Sequence, residues 1–170
     1  MLHKKSFLLS LLLVVMLSLH TIAYAAKNFA LTDTAGKKHT LSQYEGKWVI
    51  VNYWATWCPP CLEEVPDLVA LYDSRKNKDV MVFGVAFDFQ SAKDVADYVD
   101  DMLMSYPIVL GDDEVASQIG QAEVLPTTFI YSPSGELVKI KHGKVTKQYL
   151  EAVIAKEAKK RVKSKWTVSN

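Results

Sequence analysis

The sequence predicts an α/β fold with a central mixed sheet flanked by helices and a β-hairpin on its N-terminal side. Apolar, β-branched runs at residues 48–54 and 80–87 predict buried strands, each followed by apolar residues at helical spacing. The last two strand signals, residues 125–131 and 136–142, flank a turn and predict an antiparallel hairpin. Strand–helix alternation that ends in a hairpin favours parallel crossovers first and antiparallel pairing last.

The remaining elements follow from turns and periodicity. Breaks at residues 35–36 and 45–46 predict a short hairpin ahead of the first buried strand. The first helix is predicted from Cys61 onward, with a kink at Pro66. Further helices are predicted at residues 92–103, 113–120 and 145–161, and a short strand at 108–110. On the second helix we expect five residues to face inward: Val95, Ala96, Val99, Met102 and Leu103.

The N-terminal segment has the pattern of an export signal. Two lysines precede an apolar run at residues 7–19, and Ala23-Tyr24-Ala25 supplies small residues at the spacing of a cleavage site. We therefore expect a signal peptide at residues 1–25, one folded domain at 26–162 and a polar tail at 163–170. The alternative is an uncleaved anchor, since residues 7–26 nearly reach the length of a membrane span.

The charge balance argues against nucleic acid as a partner. The chain has 20 basic and 19 acidic residues, and the segment 1–25 contains two of the basic residues and none of the acidic ones. The exported part therefore has a net charge near −1, whereas nucleic-acid-binding domains are usually strongly basic. A hydrophobic content of 49% over the whole chain is sufficient for one core.

The only two cysteines of the chain, Cys58 and Cys61, follow the first buried strand. Cys58 falls at the start of the first helix, where unpaired backbone N–H groups and the positive dipole end stabilise a thiolate. Cys61 lies about one turn further on, within reach of a disulfide. Pro59 and Pro60 suit a first helical turn, whose N–H groups have no partner inside the helix. This pattern predicts a redox-active dithiol.

Other interpretations of the cysteine pair stay open in the sequence. A structural disulfide suits an oxidising compartment, but a two-residue spacer closes a very small loop and restricts the unfolded chain little. Half of a zinc site needs two further ligands, and a Cu(I) site needs a third strong ligand nearby. His39 and His142 have no ligand spacing, and we expect both on the surface. We expect no metal and no cofactor.

The dithiol segment at residues 52–61, Asn-Tyr-Trp-Ala-Thr-Trp-Cys-Pro-Pro-Cys, and the later Pro-Thr-Thr-Phe at 126–129 resemble the thioredoxin superfamily. More narrowly, the chain is similar to the exported TlpA/ResA/CcmG (DsbE)-type thiol–disulfide oxidoreductases over about residues 28–155. The resemblance implies a thioredoxin fold. It also implies that Cys58 is an exposed nucleophile that attacks a substrate disulfide, and that Cys61 resolves the mixed disulfide.

The same resemblance implies a substrate-binding role for five residues: Trp57, Pro59, Pro60, Leu125 and Pro126. Trp57 would flank the sulfurs and contact the partner. Pro126 matches a cis-proline beside the dithiol, where the backbone of Leu125 pairs with a bound peptide; cis bonds are rare enough to make this a specific expectation. The family often has glycine two residues before this proline, and Val124 in that place would narrow the substrate groove.

Asn52 and Glu64 mark a departure from thioredoxins proper, which have a buried aspartate at the position of Asn52. Some exported reductases have a glutamate three residues after the second cysteine, and Glu64 stands at that place here. Helical spacing puts Glu64 on the same face as Cys61, so that it would accept the Cys61 proton directly or through water as a catalytic group. The alternative is an acid in the first helical turn, stabilised by the helix dipole.

These residues predict a monomeric disulfide reductase of the periplasm or of the extracytoplasmic face of the inner membrane. The resemblance implies a membrane-embedded thiol transporter as electron donor and oxidised client proteins, such as an apocytochrome c in cytochrome c maturation, as substrates. The rivals are a disulfide oxidase or isomerase for folding proteins and a Cu(I)-binding assembly factor. No cation lies between the cysteines and no large helical insertion is present, which favours the reducing direction.

Basic residues are concentrated near the C-terminus. We interpret them as complementing the negative end of the last helix, and the alternative is contact with anionic lipid. They are Lys156, Lys159, Lys160, Arg161, Lys163 and Lys165.

Overall fold

The computed structural model describes residues 28–168, and the predicted signal peptide at 1–25 lies outside them. The strands are β1 (Ala30–Thr32), β2 (Lys38–Thr40), β3 (Trp48–Trp54), β4 (Val80–Ala86), β5 (Ile108–Leu110), β6 (Thr127–Tyr131) and β7 (Leu137–His142). The helices are α1 (Pro59–Arg75), α2 (Ala92–Asp101), α3 (Asp113–Ile119) and α4 (Lys147–Val168). A short 3₁₀ turn at Leu41–Tyr44 follows β2.

Five strands form one mixed sheet in the order β5-β4-β3-β6-β7. β3 and β5 pair in parallel with β4, whereas β6 pairs antiparallel with both β3 and β7. β1 and β2 form a separate antiparallel hairpin. The predicted mixed sheet is therefore confirmed, with parallel crossovers first, an antiparallel hairpin last and an additional N-terminal hairpin.

The central strand β3 is buried on both faces, because its residues are apolar or aromatic except for Asn52. Successive side chains of a strand point to opposite faces. Ile50 and Trp54 accordingly pack in a core that contains residues of α1 and α4. Val51 and Tyr53 pack in a second core that contains residues of the N-terminal hairpin. The C-terminal end of β3 is thus held rigidly where the chain turns toward the cysteines.

A buried polar chain links the N-terminal hairpin to the 3₁₀ turn that follows it, and its rings pack against the sheet. His39 Nε2 lies 2.8 Å from Asp33 Oδ2, and His39 Nδ1 lies 2.6 Å from the Tyr44 hydroxyl oxygen. His39 is only 1% exposed, and its ring packs edge-on against Phe83 of β4. The prediction that His39 is a surface residue is therefore wrong, because His39 is the one residue of β2 that points toward the core.

Replacing Asp33 with asparagine is expected to destabilise the domain by about 1–3 kcal/mol at neutral pH, since a buried partner of His39 is lost. Burial opposes ionisation of Asp33, but the hydrogen bond with His39 and the N–H groups of Lys37 and Ala35 hold the pKa of its carboxyl below its ordinary value. A lowered folded-state pKa stabilises the fold above the unfolded-state pKa, and this contribution is lost as the pH falls through the folded-state value. Urea unfolding at several pH values should therefore show a difference that shrinks under acidic conditions.

The matched control is Asp97→Asn, which removes the same charge from an exposed carboxyl paired with Lys93 on the surface. This change is expected to alter the free energy of unfolding by less than about 0.5 kcal/mol. Equal losses in the two variants, or a loss in Asp33→Asn that does not vary with pH, would contradict the role given to the buried chain.

The end of α2 differs from the expected one. The helix ends at Asp101, and Leu103 adopts a left-handed conformation with a φ of 52° and a 79% exposed side chain. Ala96 is also exposed, so the prediction that Ala96 and Leu103 face inward is wrong. After the chain turns at Leu103, Met104 and Tyr106 enter the core instead.

Helix α4 continues to Val168, whereas the sequence predicts an end at residue 161. Much of the predicted polar tail is therefore helical, because the segment contains no glycine or proline that would end the helix. Among the residues that the structure describes, no helix combines the length and the apolar composition needed to cross a membrane.

Candidate active site

The two cysteines form a disulfide at the point where β3 leads into α1. Cys58 is the N-cap of α1, and Pro59 and Pro60 are its first two helical residues. The Cys61 N–H donates to the Cys58 carbonyl oxygen at 3.0 Å, and the two Cα atoms lie 5.3 Å apart. The dithiol therefore stands at the positive end of a 17-residue helix, as predicted, and this position favours a thiolate in the reduced state.

Solvent reaches the disulfide less than the resemblance implies. Cys58 is 3% exposed and Cys61 is 1% exposed. Both residues belong to the apolar cluster that includes Ala55 and Val65. The expectation of an exposed Cys58 is therefore wrong for the disulfide form, because this side chain packs into the core cluster.

Trp57 is the large exposed side chain beside the disulfide, with 58% of its surface exposed. Its indole Nε1 donates to the backbone carbonyl oxygen of Asp88 at 2.9 Å. Asp88 lies just after β4 and adopts a left-handed conformation, with a φ of 51°. This hydrogen bond fixes the Trp57 ring. The sequence places Trp57 beside the sulfurs but offers no pattern that identifies Asp88, which acts through its backbone.

A groove of about 330 Å³ lies between Trp57 and the loop that precedes β6. Tyr53, Val124 and Leu125 also line this groove. The Leu125–Pro126 peptide bond is cis, as the resemblance implies. Val124 is 52% exposed, so its side chain takes up space in the groove that a glycine would leave open.

Glu64 is fully buried on α1, about one turn after Cys61. Its Oε1 accepts a hydrogen bond from Asn52 Nδ2 at 2.7 Å, and its Oε2 accepts from the backbone N–H of Val145 at 2.8 Å. Asn52 Nδ2 also donates to Thr128 Oγ1 at 3.1 Å. The Glu64 carboxyl thus joins α1 to β3 and to the segment between β7 and α4, and Asn52 extends the network to β6.

Burial raises the pKa of Glu64 to about 7, although hydrogen bonds from Val145 and Asn52 and the nearby Lys141 and Lys144 favour the charged form. Glu64 lies in the second turn of α1 and is buried, so the alternative of a dipole-stabilised acid in the first turn is wrong. A carboxyl with a pKa near 7 both takes up and releases a proton at neutral pH, as a general acid–base group must.

The sequence identifies Asn52 only as a departure from thioredoxins, and its hydrogen-bond partners are missed. The available signal is an amide in a buried strand, twelve residues before the Glu64 carboxylate, because a buried amide requires partners. Thr128 is part of the motif that carries the resemblance but has no predicted role. Val145 gives no signal, since it contributes its backbone N–H.

Within residues 28–168, no group of three or more His, Cys, Asp or Glu side chains comes together as a metal site. His142 is exposed, as predicted, and its Nδ1 lies 3.0 Å from Thr127 Oγ1. In the described part of the chain, the cysteine pair therefore has no His, Asp or Glu grouped with it as a further zinc or Cu(I) ligand.

Known proteins are similar to this chain in sequence and in fold. The AhpC/TSA family profile matches residues 22–140. The thiol–disulfide oxidoreductase ResA of Bacillus subtilis is 34% identical over 125 residues, which are 74% of this chain and 69% of that protein. A thioredoxin-family thiol:disulfide interchange protein of Chlorobium tepidum aligns at 26% identity with a TM-score of 0.68, covering 75% of this chain and 91% of the other. StoA of Bacillus subtilis aligns at 26% identity with a TM-score of 0.64, covering 74% and 94%. The predicted thioredoxin fold is thus confirmed.

Proposed function

Since the chain belongs to the AhpC/TSA family and is a thiol–disulfide oxidoreductase of the ResA type, we propose that it reduces disulfides in exported proteins. The observation that carries this direction is the buried carboxyl of Glu64, about one turn from Cys61. A negative charge near a thiol disfavours the thiolate form of that thiol. The reduced dithiol is then less stable relative to the disulfide, so it is a better electron donor. Pro59 and Pro60 place no cation between the cysteines that would reverse this effect.

In the first step, Cys58 is the nucleophile. Its thiolate, stabilised by the N-terminal end of α1, attacks one sulfur of a client disulfide. The client S–S bond breaks, its electron pair leaves with the other client sulfur, and that sulfur takes a proton from solvent. A mixed disulfide between Cys58 and the client is formed.

In the second step, Cys61 resolves the mixed disulfide. Its thiol gives a proton to the ionised Glu64, directly or through water, and the Cys61 thiolate attacks the Cys58 sulfur. The bond between Cys58 and the client breaks, and the departing client thiolate takes a proton in its turn. Two electrons have then passed from the dithiol to the client, and the Cys58–Cys61 disulfide remains. A pKa of about 7 lets Glu64 accept this proton and later release it.

Substrate binding is assigned to the residues around the groove. Trp57 offers an apolar ring fixed in position, and Leu125 offers its backbone next to the cis bond to Pro126. Pro59 and Pro60 are exposed at the start of α1 and would contact the client on the side of the helix. An extended client segment that pairs with the backbone of Leu125 would lie along the groove and bring its disulfide to Cys58.

The predicted export supports the proposed place of action and the proposed electron donor. The segment 1–25 supports a site in the periplasm or at the extracytoplasmic face of the inner membrane. Such a compartment offers no reducing pool, so a membrane-embedded thiol transporter is the proposed electron donor. Oxidised proteins, including an apocytochrome c with oxidised haem-binding cysteines, are the proposed clients.

The reduction potential of the Cys58–Cys61 pair tests the direction of electron flow. Equilibration with glutathione or dithiothreitol, followed through tryptophan fluorescence or thiol alkylation, is expected to give a value near or below about −220 mV. A variant in which both cysteines are alanine serves as the control and should show no transition. A value near about −120 mV would make the protein an oxidase and overturn the proposed direction.

A further inference from the structure

We infer that the outer face of helix α4 docks on an anionic membrane surface, with the disulfide held at the opposite end of the domain. The outer face consists of Ala155, Lys156, Lys159, Val162 and Lys163. The inference rests on the export in the proposed function but on nothing in its redox chemistry, and the two are tested by different measurements.

Contacts of α4 with the body of the domain fix which side of the helix faces outward. Leu150 and Ile154 are buried in the core. About two turns after Ile154, Arg161 Nη1 donates to Ser134 Oγ at 2.9 Å and to Glu136 Oε2 at 3.0 Å in the turn between β6 and β7. The helix is therefore held along its length, and the residues on the other side of it face solvent.

The outer face combines positive charge with apolar surface. All five of its residues are exposed, and Val162 has 58% of its surface exposed. Lysine side chains beside small apolar residues can lay their methylene stems along an apolar surface while the ammonium groups reach phosphate oxygens. Lysines on one exposed helix face attract anionic lipids when that face comes close to a bilayer surface.

The course of α4 argues against a role in complementing the helix dipole for Lys156 and Lys159. Charges complement a helix dipole only within about the last turn of the helix. Because α4 continues to Val168, Lys156 and Lys159 lie more than two turns before its end. Contact with anionic lipid, the alternative given for these lysines, is consistent with their position on the outer face.

The outer face lies at the end of the domain away from the disulfide. α4 begins beside α1, where the Lys147 N–H donates to Asp67 Oδ1 at 2.9 Å, and Lys163 is roughly 24 Å further along the helix axis. β6 likewise runs roughly 13 Å away from the cis bond before the chain reaches the turn that holds Arg161.

The start of the described chain lies at this same end. Asn28 and Ser134 line one groove of about 300 Å³, and Ser134 is a hydrogen-bond partner of Arg161. The apolar run at residues 7–19 precedes Asn28 in the sequence. Retained as an anchor, that run would bring the outer face of α4 to the bilayer surface. The point where the described chain begins, at Asn28, thus lies at the same end of the domain as the outer face of α4.

An anionic lipid surface is favoured over nucleic acid as the occupant. A nucleic-acid phosphate backbone would interact favourably with the lysines alone. A lipid headgroup region would in addition bury the apolar side chain of Val162.

Lysine labelling tests the docking on the full chain. Amine acetylation would be measured residue by residue on vesicles of phosphatidylcholine and on vesicles that also contain phosphatidylglycerol, because the apolar run at 7–19 binds both alike. Labelling of Lys156, Lys159 and Lys163 is expected to slow on the anionic vesicles only, and to recover at high salt. Labelling of Lys93 near the other end of the domain should not change.

A charge-neutral variant gives the size of the effect. Replacing Lys156, Lys159 and Lys163 with glutamine is expected to lower the preference for anionic over neutral vesicles by about fivefold per lysine, on the order of a hundredfold in total. The matched control replaces Lys37, Lys38 and Lys93, which are exposed elsewhere, and should keep the wild-type preference.

Three results would overturn the inference. They are equal labelling on the two kinds of vesicle, an equal loss of preference in the control variant, and protection of the three lysines by a DNA duplex but not by anionic vesicles. The orientation has its own test: reduction of the disulfide by a soluble thiol should proceed equally fast on both kinds of vesicle. Slower reduction on anionic vesicles would place the disulfide at the membrane and contradict the orientation.

Discussion

Replacing Cys61 with alanine is expected to turn the protein into a trap that accumulates client proteins as mixed disulfides, whereas replacing Cys58 with alanine is expected to abolish exchange. Cys58 occupies the N-cap of α1, where its thiolate is stabilised, and Cys61 lies within the first turn and is less exposed. Without Cys61, the mixed disulfide forms but has no intramolecular thiol to release it. The adducts would be counted after acid quenching and non-reducing electrophoresis of extracts from the exported fraction.

The chain has only two cysteines, so each single variant retains one thiol. Every adduct of the Cys61→Ala variant must therefore run through Cys58, and a variant that lacks both cysteines gives the background. Adducts on the Cys58→Ala variant, together with none on Cys61→Ala, would reverse the assigned order of attack. The absence of adducts from both single variants would contradict disulfide exchange through this pair.

Replacing Glu64 with glutamine is expected to remove most of the pH dependence of stability between pH 4.5 and about 7. In this window the folded state retains a proton that the unfolded state has released, so the free energy of unfolding of the wild type falls as the pH rises. A pKa shift from 4.5 to about 7 corresponds to about 3 kcal/mol over the whole window. Urea unfolding of the disulfide form at a series of pH values measures this slope.

The same substitution should slow the second step of disulfide exchange. Loss of a positioned proton acceptor typically costs about 10²-fold or more, and the release of a client from the mixed disulfide should also lose its dependence on an ionisation near pH 7. Stopped-flow release of a labelled peptide from Cys58 measures both effects.

Glu63 provides the matched control for these two measurements. It is the neighbouring residue, has an exposed carboxyl and pairs with Lys144 on the surface. Glu63→Gln is expected to leave the slope of stability and the pH profile of release as in the wild type. A wild-type slope in Glu64→Gln would mean that the buried carboxyl does not titrate in this range, and an unchanged release profile would remove its catalytic role.

The parts of the fold that depend on local pattern could be predicted from the sequence. β3 spans the predicted residues 48–54, because a short run rich in β-branched and aromatic residues favours a buried strand. The errors come from tertiary contacts. His39 is buried because Asp33 and Tyr44 satisfy its ring nitrogens, and the sequence does not show that these residues meet. Leu103 lies outside because the chain leaves α2 earlier than its periodicity indicates.

Some features of the candidate site could likewise be predicted from the sequence, and others could not. The dithiol and the cis bond before Pro126 follow from short motifs, and the proximity of Glu64 to Cys61 follows from helical spacing. The environment that sets the pKa of Glu64 could not be predicted, because Asn52 and the Val145 N–H come from distant parts of the chain. The low exposure of Cys58 likewise depends on packing between elements, and no sequence motif indicates this packing.

The amide of Asn52 limits the number of charge states that the buried Asn52–Glu64 pair can adopt. Two carboxyl groups in contact would share protons and titrate in two coupled macroscopic steps. Asn52 can neither gain nor lose a proton, so its contact with Glu64 forms a hydrogen-bonded pair with a single ionisable member. This pair therefore has two charge states rather than three. The second oxygen of Glu64 accepts a hydrogen bond from the Val145 N–H. Ionisation of Glu64 therefore also changes the strength of a hydrogen bond at the point where the chain enters α4.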